Sequence, residues 1–136
     1  MASILDSAAL GLPVLLAHGA LTLLMLIAGI TVYIWVTPHR EFALVRQNNP
    51  AAAIALGAAM LGLAIPLAAA MANSAQLLEI VVWGGVAVVL QILAFKVVDL
   101  MMRDLSGSIE RGEVAPALVL AAAKLSVALV NAAAMS

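Results

Sequence analysis

Long apolar runs alternate with short polar breaks along this chain, and the order occurs twice. Residues 15–36 are apolar, 37–50 are polar and charged, and 51–72 are apolar again. Residues 79–102, the charged break 103–113 and residues 114–135 repeat it. Each apolar run has roughly 20–24 residues, about 30–36 Å as a helix, against a hydrocarbon core of about 30 Å. In lipid a segment must satisfy its own backbone N–H and C=O groups, so runs of this kind fold as helices. The short-period alternation of a membrane β-barrel is absent. The pattern predicts an all-α integral membrane protein with four spanning helices. It divides into a lead-in, 1–14, and two tandem two-helix units, 15–72 and 79–136. Shifting the chain by 64 residues lays Leu56, Ala58, Ala59, Leu61, Ala64 and Met71 on identical residues. An even number of spans per unit makes the two repeats parallel.

Finer punctuation predicts the local breaks. Pro13 suits the first turn of the first helix, where a missing N–H costs little. Tyr33 and Trp35 sit near the end of that run, at the depth aromatic rings prefer, and Trp83 has the same place near the other face. Thr37 and Pro38 read as cap and first residue of a short helix over 39–47, with Phe42, Leu44 and Val45 as its apolar side. Asn48-Asn49-Pro50 ends it. In the second break, Leu105 and Ile109 are apolar at helical spacing, Ser106 or Ser108 can cap, and Gly112 can stop the turn. The second and fourth spans carry small residues four apart: Ala51, Ala55 and Ala59; Ala58 and Gly62; Ala117 and Ala121; Ala122 and Ser126; Ala128 and Ala132. Such stripes let backbones approach closely in lipid, so these two helices should form the tight core or a subunit seam. Pro66 frees the carbonyl of Gly62 and predicts a kink.

Composition and charge fix the setting. The chain is 66% hydrophobic and 10% charged, whereas a soluble domain is about one quarter charged. With no cysteine, disulfides, thiol catalysis and thiolate metal sites are excluded. A net charge of −1 gives no footprint for nucleic acid. Residues 1–11 hold no Lys or Arg and carry Asp6, so the first run reads as a retained span rather than a cleaved signal. Arg40 and Arg46 lie in one break, Arg103 and Arg111 in the other. The positive-inside rule puts both breaks in the cytoplasm and both termini in the periplasm of a bacterial inner membrane.

Ionisable groups at bilayer depth are candidate functional residues, because each costs about 2.5–3.5 kcal/mol to insert. Lys124 lies near the middle of the fourth span, with Gln91 on the third span at matching depth. The Gln91 amide oxygen is placed to accept from the lysine. Two readings compete for this pair: an anion or proton site, or a polar contact that fixes helix register. Lys96, Asp99 and Arg103 share one helix face near the cytoplasmic surface, as a self-neutralised helix end, a gate or a headgroup site. Glu79 suits the positive start of the third span. His18 reads as a hydrogen-bonded interior histidine, His39 is too isolated for a metal, and Asn131 can bond across helices. No nucleophile–base motif, zinc-binding pair or phosphate loop is present, so no enzyme, cofactor or metal site is expected. Small four-span multidrug transporters depend on an acid within the first span, and 15–36 has none.

These residues carry a resemblance over nearly the whole chain. Thr37-Pro38-His39-Arg40-Glu41, Asn49-Pro50-Ala51-Ala52-Ala53, Gly57, Gly62 and Pro66-Leu67 carry it in the first half. Ser74, Trp83, Gln91, Ile109-Glu110-Arg111-Gly112-Glu113-Val114-Ala115 and Asn131-Ala132 carry it in the second. The chain resembles the small bacterial inner-membrane proteins called domain of unknown function 350. Asn48 stands where that pattern has glycine, and asparagine also tolerates a left-handed backbone. Lys124 is outside the pattern. The resemblance implies two tandem two-helix units and a bacterial inner membrane, and supplies no activity.

Three functions fit these residues. One is a homo-oligomeric channel or transporter with Lys124, Gln91, Lys96 and Asp99 along its path. Another is a non-enzymatic scaffold or envelope-stress partner whose Arg40, Arg46, Arg103 and Arg111 recruit a peripheral cytoplasmic protein or anionic lipid. The third is a subunit of a larger membrane complex.

Overall fold

The computed structural model describes residues 2–37 and 40–135. It has six helices in chain order: α1 (Ala2–Val36), α2 (Glu41–Arg46), α3 (Pro50–Asn73), α4 (Leu77–Met101), α5 (Leu105–Glu110) and α6 (Val114–Ala134). No strand occurs among the described residues. The four long helices are apolar and long enough to cross a membrane. The short helices α2 and α5 lie together at one end of the bundle, called here the loop end. The start of α1, the end of α6 and the α3–α4 connection lie at the other.

α3 and α6 form the most extensive helix pair. Ala51, Ala52, Ala55, Ala59, Ala117 and Ala128 are all fully buried, so the small-residue stripes do bring two backbones together. The stripe Ala122–Ser126 faces outward instead. Leu, Ile and Val side chains cover the outside: Leu24, Ile27, Val82, Val89 and Val130 are among the exposed ones. Inside-out apolarity of this kind is stable only against lipid.

The two halves share their local geometry. α2 and α5 begin 64 residues apart, and so do α3 and α6. Each short helix ends in the same hydrogen-bonded turn. Asn48 N–H bonds to Val45 and Asn49 N–H to Leu44; Gly112 N–H bonds to Ile109 and Glu113 N–H to Ser108. This is the helix stop built on a left-handed residue. Asn48 has φ 63° and Gly112 has φ 76°. Asparagine thus does at 48 what glycine does at 112.

Several expectations are corrected. α1 does not begin at Pro13. It runs 35 residues from Ala2 with Pro13 inside it, so most of the lead-in 1–14 is helical. Proline loses one backbone bond there, which neighbouring turns in a long apolar helix tolerate. At about 1.5 Å per residue α1 is ~52 Å long, and its residues 3–17 are all exposed. Thr37 does not cap α2. Its hydroxyl donates back to the carbonyls of Tyr33 (2.9 Å) and Ile34 (3.1 Å), closing α1. Pro38 and His39 lie outside the described residues, and α2 starts at Glu41 after Arg40. Neither Ser106 nor Ser108 precedes α5. Asp104 does, in a left-handed conformation with φ 56°.

Candidate functional site

Among the described residues, a polar cluster lies deep in the bundle where α1, α4 and α6 meet. Lys124 lies ten residues into α6, about 15 Å from its start. Helical side chains lean toward the helix N-terminus. For α6 that direction is the loop end, so the lysine reaches up to Tyr33, near the end of α1. Lys124 Nζ donates to the Tyr33 hydroxyl. It also lies 3.7 Å from the Tyr33 ring centroid and 5.8 Å from that of Phe95. The two rings meet edge to face at 6.2 Å. Lys124 is fully buried, and Tyr33, Phe95 and Gln91 are each 1% exposed.

Gln91 joins this cluster by a different bond from the one expected. Its Nε2 donates to the backbone carbonyl of Lys124 at 3.0 Å, tying α4 to α6. A carbonyl can only accept, so the amide nitrogen must face it. Gln91 Oε1, which the sequence assigns to the lysine amine, instead points toward Gly62 and has no hydrogen-bond partner among the described residues. A Cβ at Gly62 would lie 2.7 Å from that oxygen. Glycine at 62 therefore makes room for the amide.

The other candidate residues are not drawn into the cluster. Lys96 is exposed, its Nζ 5.8 Å from the Phe95 ring centroid, and Asp99 is half-buried. His18 is half-buried and bonds its own helix through Nδ1 to the Val14 carbonyl at 2.9 Å. Two buried residues, only the first of them in this cluster, were missed in the sequence. Tyr33 was read as an interfacial ring, yet its hydroxyl is the partner of Lys124. Glu41 was read as a polar-face residue of the short helix and is fully buried. Nothing in the sequence separates Tyr33 from Trp35, yet the first is 1% exposed and the second 85%.

At the loop end a second network ties the halves together. Asn49 Oδ1 accepts from Ala52 N–H at 3.1 Å and caps α3. Asn49 Nδ2 donates to the last carbonyls of α5, Ile109 at 2.8 Å and Glu110 at 3.2 Å. One amide thus satisfies orphan groups on two helices. Arg111 joins the entry and exit of α5 through Asp104 (3.1 Å), Glu113 (3.0 Å) and Ser108 (3.3 Å). The hydrogen bond from Arg111, then that from Ser108, holds the Glu113 carboxyl below its ordinary value of 4.5. Arg40, Arg46 and Arg103 are exposed and form no ion pair among the described residues.

The fold and this site define a small, polytopic, all-helical membrane protein with a buried polar stitch among its long helices. The sequence model of the family described as Domain of Unknown Function (DUF350) matches residues 7–135, and the chain belongs to that family. It is 37% identical over 112 residues to the UPF0719 inner membrane protein YjfL of Escherichia coli strain K12, covering 82% of this chain and 85% of the relative. The same figures hold for YjfL of Escherichia coli O157:H7. No solved structure matches. The protein is a small inner-membrane protein, as its relatives are.

Proposed function

We propose that the protein is a non-enzymatic membrane scaffold, built from two tandem helix–short helix–helix units, whose loop end engages anionic lipid headgroups from the cytoplasmic side. The observation that carries this is the set of three unpaired arginines, Arg40, Arg46 and Arg103, exposed at one end of the bundle. Of the five acids at that end, Glu110 is exposed and Asp99 half-buried, while three are withdrawn from them. Glu41 is buried, and Asp104 and Glu113 are held by Arg111. The opposite end, 73–78 and the C-terminus, has no Lys or Arg. By the positive-inside rule the arginine end is cytoplasmic. Each arginine near an anionic leaflet adds about 1 kcal/mol, so three supply roughly two orders of magnitude of preference. A peripheral cytoplasmic protein would dock on the same face.

Thermal unfolding in nanodiscs tests the reading. Phosphatidylglycerol should raise the melting temperature above that in phosphatidylcholine, and added salt should reduce the difference. The triple variant Arg40→Gln, Arg46→Gln, Arg103→Gln should lose most of it. Equal stabilisation of the triple variant and the parent by phosphatidylglycerol would contradict the proposal.

A homo-oligomeric channel or transporter is the second reading, favoured by the meeting of Lys124 and Gln91 at mid-span. They meet inside packed helices, however, and neither residue lines any of three open surface grooves around Leu90, Val82 and Met60. A path through them requires the four helices to part.

A further inference from the structure

α4 sits in a seat formed by α1 and α3. Gly84 of α4 rests on Leu67, where a Cβ would come within 2.9 Å of the leucine methyl. Val88 lies against Gly29, within 3.0 Å of where a Cβ would stand, and Gln91 lies against Gly62. The α3 side of this seat is Gly62, Leu63, Pro66, Leu67 and Ala70, every one of them buried. A shift of 64 residues carries those five onto Ser126, Val127, Val130, Asn131 and Ala134 of α6. These five, with Leu90 of α4, line an open groove of about 380 Å³ on the membrane-facing side. The groove continues along α4 through Val82, Gly85 and Val86. So the second half of the chain has the same seat, and none of the described residues fills it.

The helix that would fill it is identified by the same shift. The α4 residues that enter the first seat, Gly84, Val88 and Gln91, correspond to Ala20, Leu24 and Ile27 of α1. All three are exposed, Leu24 at 63% and Ile27 at 62%. Ile80 and Ala87, buried on α4, correspond to Leu16 and Leu23, exposed at 62% and 61%. α1 therefore bears an uncovered copy of the face that α4 buries. Within one chain it cannot reach the α4–α6 groove, because it is already seated against α3 and α4. We propose that the groove receives α1 of a second copy of this chain, with Ala20 on Asn131 and Ile27 on Ser126, continuing between chains the interface that holds α4 within one. The contact is head-to-tail, so it propagates to a closed ring or an open row according to the rotation per copy. Asn131, whose side chain makes no hydrogen bond among the described residues, gains a neighbouring helix. The inference does not depend on what the loop end binds.

Cysteine cross-linking between two differently tagged copies tests it, since the native chain has no cysteine. Co-expressed Ile27→Cys and Ser126→Cys chains should give a covalent hetero-pair on mild oxidation in membranes. Pairing Ser126→Cys with Val97→Cys, off the proposed face, should give at least tenfold less. A Ser126→Trp chain, which fills the groove, should keep its helical circular dichroism and shift to monomers in native mass spectrometry from nanodiscs. Absence of the Ile27–Ser126 product, cross-linking of Ser126→Cys only to itself, or an unchanged oligomer in Ser126→Trp would each overturn the proposal.

Discussion

Gly62 and Gln91 are matched to each other. A methyl at 62 would collide with an amide already anchored on the Lys124 carbonyl. Gly62→Ala should therefore destabilise the bundle by about 1–3 kcal/mol, the usual range for overpacking. Gln91→Ala should relieve most of that loss, so a double-mutant cycle in detergent should show coupling well above zero. Lys124→Met should keep the fold, because a flexible apolar chain of similar length fills the same space. Lys124→Ala leaves a cavity beneath the Tyr33 hydroxyl and should cost about 2–5 kcal/mol in unfolding assays. Sequence reading placed Lys124 and Gln91 together because helical rise sets depth. It chose the wrong bond because depth says nothing about rotation about the helix axis. Tyr33 escaped for a related reason: an aromatic residue at headgroup level suits the belt and the interior equally, and only the neighbouring helices decide.

The short helices hold the ends of the long ones. Asn49→Ala removes the cap of α3 and the donor to α5 together, so the loss should exceed the ~1 kcal/mol typical of one cap. Asn48→Gly should be neutral or slightly stabilising, and Gly112→Ala should cost about 1 kcal/mol, since both positions need a left-handed backbone. Melting curves of the three variants check the order. Glu113 gives a pH signature. Its carboxyl is held below 4.5 by the hydrogen bond from Arg111. A depressed carboxyl contributes stability above its unfolded value and loses it as pH falls through the folded one. NMR titration should place the Glu113 midpoint below that of an ordinary glutamate, and Arg111→Gln should bring it back up. The Asn48 and Gly112 stops were legible because left-handed turns demand particular residues. The left-handed Asp104 was not, since aspartate there competes with ordinary capping serines nearby.

For the whole molecule, hydropathy alone placed four spans within a few residues of where they lie, except at the start of α1. There the lead-in is as apolar as the span itself, so nothing in composition marks the boundary. Which helices pair was legible for α3 and α6, whose alanine stripes leave little else for them to do. The open seat on α4 and α6 was not legible, because it emerges only when the buried face of one half is compared with the exposed face of the other. The interior of the whole molecule is closed: Lys124, Tyr33 and Gln91 stitch the helices rather than line a path. Single cysteines at Ala94 and Ala128, both buried within a turn of Gln91 or Lys124, test it in native membranes with a small water-soluble methanethiosulfonate. Both should stay unlabelled from either side, while Ala43→Cys on the exposed face of α2 labels rapidly. Labelling of Ala94→Cys or Ala128→Cys at a rate near that of Ala43→Cys would contradict the closed interior and place water among side chains that a closed bundle packs together.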